Sequence, residues 1–209
     1  NQYQIPDQQS YPKTIGLVMA GNIPYVGLQD LICIFLSGHK VKIKASSKDT
    51  VLLKQLLLHL IHQNPETAEW ISIQEMLKDC EAYIATGSDN SARYFEYYFS
   101  KYPHIIRKNR TSIALLDGTE SPEELDQLAD DIQLYFGLGC RSVSKLFIQK
   151  DYNFDLLFNA LYKFNDIINY KKYENNYDYN KAVYLMSLFK ILDNGSKIIP
   201  TGVFCVLYI

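Results

Sequence analysis

The sequence predicts an α/β chain built on an open, mostly parallel sheet covered by helices. Apolar runs of strand length alternate with helical stretches through the first half of the chain, and a β-α-β-α order favours parallel strands joined by crossover helices. Most strand-to-helix transitions are marked by a turn rich in Gly, Asn or Ser. With 209 residues and 47% hydrophobic content, the chain has enough apolar material for a packed core.

Residues 1–13 form a polar, turn-rich lead-in containing Pro6 and Pro12. Residues 14–20, TIGLVMA, read as a strand, and Gly21-Asn22-Ile23-Pro24 as the turn after it. A helix over 26–37 is closed by Gly38, the alternating HKVKIK of 39–44 makes a strand, and 45–49 lead into a long helix over 50–63. A short strand at 71–74 and a better one at 82–86, AYIAT, precede Gly87-Ser88-Asp89-Asn90. The aromatic segment 91–102 is helical up to Pro103. Strands at 105–107 and 111–116, separated by Lys108-Asn109-Arg110, complete an open α/β unit over 14–116.

A loop from 117 then enters an acidic amphipathic helix reaching 136, whose apolar side is Leu125, Leu128, Ile132 and residues 134–136. Gly137 and Gly139 stop it. Beyond lie a strand at 144–149, a helix over 154–170, a polar, tyrosine-rich loop at 173–179, a helix over 180–189 and an apolar, strand-like run at 203–209.

A net charge of −2 argues against a nucleic-acid scaffold or a basic membrane-surface protein. The four cysteines, Cys33, Cys80, Cys140 and Cys205, are widely spread without a C-x-x-C pair, so reduced thiols and a cytoplasmic setting are expected. The longest apolar run, 31–36, is too short to span a bilayer, and no signal peptide is visible. The chain starts with Asn1 and stops in an apolar run, so it reads as an excerpt of a longer protein. His59 and His62 lie one turn apart on the long helix, but no carboxylate or cysteine completes a metal set, and no metal is expected.

Cys140 is the candidate nucleophile. It follows a Gly-x-Gly pair that permits a tight, accessible turn, and Arg141 and Lys145 offer positive charge that favours the thiolate. The bland alternative is a small packed thiol. Ligands of open α/β sheets bind at the carboxyl ends of the strands, here the turns at Gly21-Asn22, 45–47 and Gly87-Ser88. Gly87-Ser88 reads either as a phosphate seat at a helix start or as an ordinary N-cap. Lys42 and Lys44 share one strand face, either a solvated edge or, for Lys44 beside Ser46 and Ser47, a ribose or phosphate contact. Asn22 is either an oxyanion donor or a turn residue, and 108–110 either an anion site or a charged loop.

Taken in order, MAGNIP at 19–24, VKIKASS at 41–47, ATGS at 85–88 and FGLGC at 136–140 resemble the aldehyde dehydrogenase superfamily. YPHIIRKNRTS at 102–112 and the stretch 137–145 are similar to its LuxC-like acyl-CoA reductase branch, known from bacterial bioluminescence. The resemblance runs from about 13 to 157 and more loosely to the end. It implies an aldehyde dehydrogenase-like fold, with a nicotinamide cofactor domain over 1–116 and an incomplete α/β catalytic domain over 117–209.

By the same resemblance Cys140 matches the nucleophile and Asn22 the oxyanion stabiliser. Lys44 matches a contact to the adenosine ribose, with Ser46 and Ser47 in the same turn. Ala20 and Gly21 stand in the first cofactor turn, and Gly87 and Ser88 match the turn near the pyrophosphate. The glutamate that activates the hydrolytic water in aldehyde-oxidising members has no counterpart near 108–112.

The implied activity is reduction of a fatty acyl-CoA, or another acyl thioester, to an aldehyde with NADPH through a cysteine acyl-enzyme. The alternatives are an aldehyde dehydrogenase, a cysteine acyltransferase on the same fold, or a non-catalytic nucleotide-binding module. Partners implied are the thioester substrate and a homo-oligomer or a complex with an acyl-transfer protein; nucleic acid and a membrane span are not expected.

Overall fold

The structure, a computed structural model, describes residues 9–108, 110, 112–201 and 205–206. The first eight residues of the expected lead-in, Asn109 of the charged loop, Thr111 and most of the run at 203–209 lie outside the described residues. The chain divides into two units between Asn109 and Arg110.

The first unit opens with β1 (Thr14–Val18), α1 (Leu28–Leu36), β2 (Lys40–Lys44), α2 (Thr50–Gln63), α3 (Thr67–Trp70) and β3 (Ile71–Ile73). It continues with β4 (Ala82–Thr86), α4 (Asp89–Phe99) and β5 (His104–Arg107). The five strands form one sheet in the order β3-β2-β1-β4-β5, with every neighbouring pair parallel. The central strand is buried from Ile15 to its end, which explains its unbroken apolar run.

Alternation then sorts the layers. Ile15 and Leu17 of β1, Met19 just after it, and Val41 and Ile43 of β2 join Leu31 and Ile34 of α1 and Leu53 of α2 in one core. On the opposite face Gly16 stands beside Tyr83, whose ring stacks on Phe99 of α4 at 4.1 Å. A Cβ on Gly16 would lie 2.7 Å from the Tyr83 ring, so glycine is required there by contact.

Two expectations are corrected in this unit. β2 is not an edge, because β3 pairs on its far side, and its lysines are engaged: Lys42 Nζ donates to the Lys78 carbonyl at 2.8 Å and Lys44 Nζ to that of Glu75 at 2.5 Å. The alternating cations thus tie β2 to the segment leaving β3. The expected strand at 111–116 is real as β6 (Ser112–Leu116), but it pairs in parallel with β7 (Val143–Ile148) of the second unit. This strand therefore belongs to the second compact unit, which begins at Arg110.

In the second unit, β6, α5 (Pro122–Gln133) and β7 make a β-α-β crossover. The rest comprises α6 (Phe154–Leu161), α7 (Lys171–Met186), the antiparallel pair β8 (Lys190–Asp193) and β9 (Ile198–Thr201), and β10 (Cys205–Val206), antiparallel to β7. Leu125, Ala129 and Ile132 of α5 pack with Val143, Leu146, Leu157, Leu161 and Ile199. A full capping box starts α5: Ser121 Oγ accepts from the Glu124 N–H and Glu124 returns a carboxylate oxygen to the Ser121 N–H, with Pro122 in the first turn.

Three expected elements change here. The helix through 136 ends at Gln133, and Leu134, Tyr135 and Phe136 are exposed rather than part of its apolar side. The helix over 154–170 is α6 followed by a tighter 3-10 stretch, Tyr162–Asn169. The tyrosine-rich loop is the first half of α7, because Tyr173 and Tyr177, one turn apart, both turn inward and place their hydroxyls on Ser196 and Asp193.

Replacing Gly16 by valine should push Tyr83 off Phe99 and lower stability by about 1–3 kcal/mol. Urea unfolding checks this, and an unchanged midpoint would contradict the contact.

Candidate functional site

The candidate residues fall in two groups, one in each unit. In the first unit the chain crosses from β3 to β4 past β1, so the strand order reverses between β1 and β4, and ligands of such sheets sit outside the carboxyl ends at that point. Ala20, Gly21 and Asn22 follow β1, Ser46 and Ser47 follow Lys44 at the end of β2, and Gly87 and Ser88 follow β4. The structure thus gathers every candidate cofactor residue on one end of one sheet.

Close contacts fix these turns. A Cβ on Gly21 would meet Ser46 Oγ at 2.3 Å, so the turns after β1 and β2 touch through a glycine. A Cβ on Gly87 would lie 2.9 Å from the Phe95 ring and 3.0 Å from Ser91, which lets β4 run directly into α4. Asn22 is exposed in this crest.

Ser88 is the N-cap of α4, its Oγ accepting from the Ser91 N–H at 3.3 Å, so the ordinary cap reading holds for this hydroxyl. The N–H groups of Asp89 and Asn90 have no acceptor within a helix start and leave an anion-binding end, although the Asp89 carboxylate shares it. The residues present fit a dinucleotide: a glycine-lined crest at the switch point, a cation with two serines at the end of β2, and a helix N-terminus after β4.

Sequence reasoning missed two cross-ties. Tyr25, held at φ 58°, donates its N–H to Asp49 Oδ2 at 2.7 Å, locking the loop that carries Asn22 to the start of α2. Arg107 at the end of β5 pairs with Asp30 of α1 at 2.7 Å, while its carbonyl accepts from the Gly87 N–H at 3.1 Å. Neither has a local signal, since the partners are far apart in sequence.

In the second unit, Cys140 is an exposed, free thiol between α5 and β7. It occupies a turn closed by the Ser142 N–H on the Gly139 carbonyl at 3.1 Å. Tyr135, Phe136 and Gly137 before it take φ of 55°, 60° and 68°. Only Gly137 adopts that region without penalty; the two aromatic residues are strained. Phe136 packs edge-on against Tyr170, with centroids 5.3 Å apart, and tilted against Tyr173. Of the expected cations, Arg141 is exposed and Lys145 lies on β7 with Nζ 5.1 Å from the Phe147 centroid.

Behind this bend lies a lysine that is only 1% exposed. Lys197 Nζ meets Gln133 Oε1 at 3.3 Å and stands over the Tyr173 ring at 5.9 Å. Burial pushes its pKa down to about 7.

The remaining candidates fall elsewhere. Lys108 pairs with Glu96 of α4 at 2.7 Å, and that hydrogen-bonded cation holds the Glu96 carboxyl below its ordinary value. His104 is bonded to the Tyr102 carbonyl and His39 to the Lys13 N–H. Among the described residues no group of three His, Cys, Asp or Glu is placed to hold a metal, and no helix is long and apolar enough to cross a membrane.

A parallel α/β sheet with its ligand crest at the switch point, followed by a β-α-β unit presenting a cysteine, has the fold of aldehyde dehydrogenases. The chain superposes on an NAD-dependent aldehyde dehydrogenase from Sinorhizobium meliloti with a TM-score of 0.71 at 13% identity, covering 88% of this chain and 42% of that one. It is also similar to an engineered glycolyl-CoA reductase with bound NADP+, at a TM-score of 0.58 and 14% identity over 73% of this chain and 38% of that. A propionaldehyde dehydrogenase from Rhodopseudomonas palustris with bound propionyl-CoA gives 0.55 and 15%, over 73% and 37%.

The particular family is given by sequence: the model of the acyl-CoA reductase (LuxC) family matches residues 5–157, and the chain belongs to that family. No curated protein matches it. The chain spans well under half the length of the three solved structures named.

Two expected outcomes follow from this geometry. Asp30→Ala removes a charge-assisted bond to Arg107 and should lower stability by about 2 kcal/mol in urea unfolding. For Lys197, the ordinary amine pKa of 10.5 in the unfolded chain exceeds the folded value of about 7, so the unfolded state binds more protons between those limits and stability rises with pH across them. Unfolding measured from pH 6 to 10 should show Lys197→Met losing that rise, so its stability relative to the parent is greatest at the acid end.

Proposed function

We propose that this chain carries the cofactor crest and the nucleophile of an acyl-CoA reductase that makes an aldehyde with NADPH through an acyl-cysteine. The observation that supports the reading most is the family match, which includes the three crest turns and the Cys140 turn in one stretch.

On this reading Ala20, Gly21, Lys44, Ser46, Ser47, Gly87 and Ser88 bind the cofactor. Lys44 and the two serines take the adenosine ribose, and Gly87 and Ser88 lie toward the pyrophosphate. When bound, NADPH supplies the hydride that reduces the acyl group.

Cys140 Sγ attacks the thioester carbonyl carbon, forming a C–S bond and placing negative charge on the carbonyl oxygen. The Asn22 side-chain amide and backbone N–H groups stabilise that oxyanion. Its collapse breaks the bond to the CoA sulfur, which leaves as the thiolate and takes a proton, and the acyl group stays on Cys140. After reduction, cleavage of the C–S bond releases the aldehyde and restores the Cys140 thiolate.

Reduction is favoured over hydrolysis because no carboxylate is poised as a base near the expected position. The stretch 108–112 has none, and Glu96, the acid that Lys108 contacts, is held ionised in an ion pair rather than poised near neutral pH as a general base requires.

With an isotopically labelled acyl-CoA and NADPH, the product should be labelled aldehyde. Cys140→Ala should lower its formation by about a thousandfold or more, and Asn22→Ala by about a hundredfold. Labelled carboxylate would favour the aldehyde dehydrogenase alternative, and undiminished turnover by Cys140→Ala would refute the reading.

A further inference from the structure

Cys140 is presented by backbone that two aromatic residues adopt only under strain, so something must hold that backbone in place. The residues that do so are buried, polar and contiguous. Gln133, the last residue of α5 and 2% exposed, stands immediately before the bend. Its side-chain oxygen accepts from Lys197 Nζ at 3.3 Å. Tyr173 receives Phe136 on its ring and donates its hydroxyl to the Ser196 carbonyl at 3.0 Å, next to Lys197 in the chain.

We propose that Lys197 is a positioning residue for Cys140, holding the left-handed bend at 135–137 through Gln133 on one side and the Tyr173–Phe136 ring contact on the other. The catalytic consequence rests on the reading of Cys140 as the nucleophile; the mechanical one does not.

The chemistry of the cluster supports this role. An ammonium needs several acceptors, yet among the described residues Nζ has one long bond to an amide and a ring face. The adjoining void of about 10 Å³ admits at most one water. From α5 the group facing Nζ is the neutral Gln133 amide, and from α7 it is the Tyr173 phenol, whose own pKa burial pushes up. The nearby charged groups of α7 and β8 are closed on one another: Asp193 accepts from Tyr177 and pairs with Lys181 at 2.6 Å.

Burial alone accounts for the lowered pKa of Lys197, so it is largely an uncharged amine above neutral pH and becomes a cation in a nearly acceptor-free site below it. Acid therefore loosens the clamp, and the bend carrying Cys140 is released before the fold is lost.

Hydrogen exchange read by mass spectrometry over 134–142, corrected for the intrinsic pH dependence of exchange, tests this without any substrate. In the parent chain, opening of that segment should rise as pH falls through about 7. Lys197→Met should open it about tenfold more at pH 8 and show no such acid step, with α6 and β7 unchanged. Gln133→Leu should likewise open it. Acylation of Cys140 by an acyl-CoA should slow about tenfold in Lys197→Met with unchanged half-saturation.

The proposal is overturned by a flat parent profile, which needs no variant to fold, by parent-like exchange in both variants, or by acceleration spread equally over α6 and β7. Absence of acylation in the parent would refute the nucleophile reading alone, leaving the exchange result to stand on its own.

Discussion

A cysteine proposed as a nucleophile has to be reachable and yet held still, and in this chain the two requirements meet in the left-handed bend at 135–137. Exposing Cys140 on a short turn after α5 puts Tyr135 and Phe136 in a conformation that costs L-residues about 1–3 kcal/mol each. Packing must offset that. Phe136 gains two tyrosine rings, and Gln133 and Lys197 close the polar side beneath the bend. The start of α5 is equally constrained by its capping box and Pro122, so the helix delivers the bend from a fixed origin.

The other half of the candidate machinery is built by a different device. Five parallel strands end in turns that touch one another, and long-range ties replace strain as the source of rigidity. Gly21 abuts Ser46, Tyr25 is held by Asp49, and Arg107 joins α1, β5 and the turn after β4. Lys42 and Lys44 add two bonds to the segment after β3. A crest proposed to bind a dinucleotide needs such loops to be preorganised, because every residue ordered on binding subtracts from affinity.

Much of the first unit was legible because its strands carry period-two or continuous apolar patterns and its turns carry glycine. β1, β2, β4 and α2 follow those signals within a residue or two. Strand pairing was less legible: β6 has the pattern of its neighbours, and only β7, distant in sequence, decides which sheet it joins. The start of α7 was misread because tyrosine counts as polar in a loop, whereas Tyr173 and Tyr177 half-bury their rings and keep their hydroxyls bonded. At the candidate site, the glycines around Cys140 announced a turn. Nothing in Leu134-Tyr135-Phe136 announces positive φ, and a buried lysine sixty-odd residues further on is invisible to any local rule.

On the proposed reading Cys140, and not another thiol, accepts the acyl group. The most direct measurement is peptide mass spectrometry after exposure to an acyl-CoA alone, with Cys33, which is also exposed, and the buried Cys80 as internal references. Acyl label should appear on Cys140 well ahead of Cys33 and not at all on Cys80. Label distributed between Cys140 and Cys33 by exposure alone, or absent from Cys140, would contradict it.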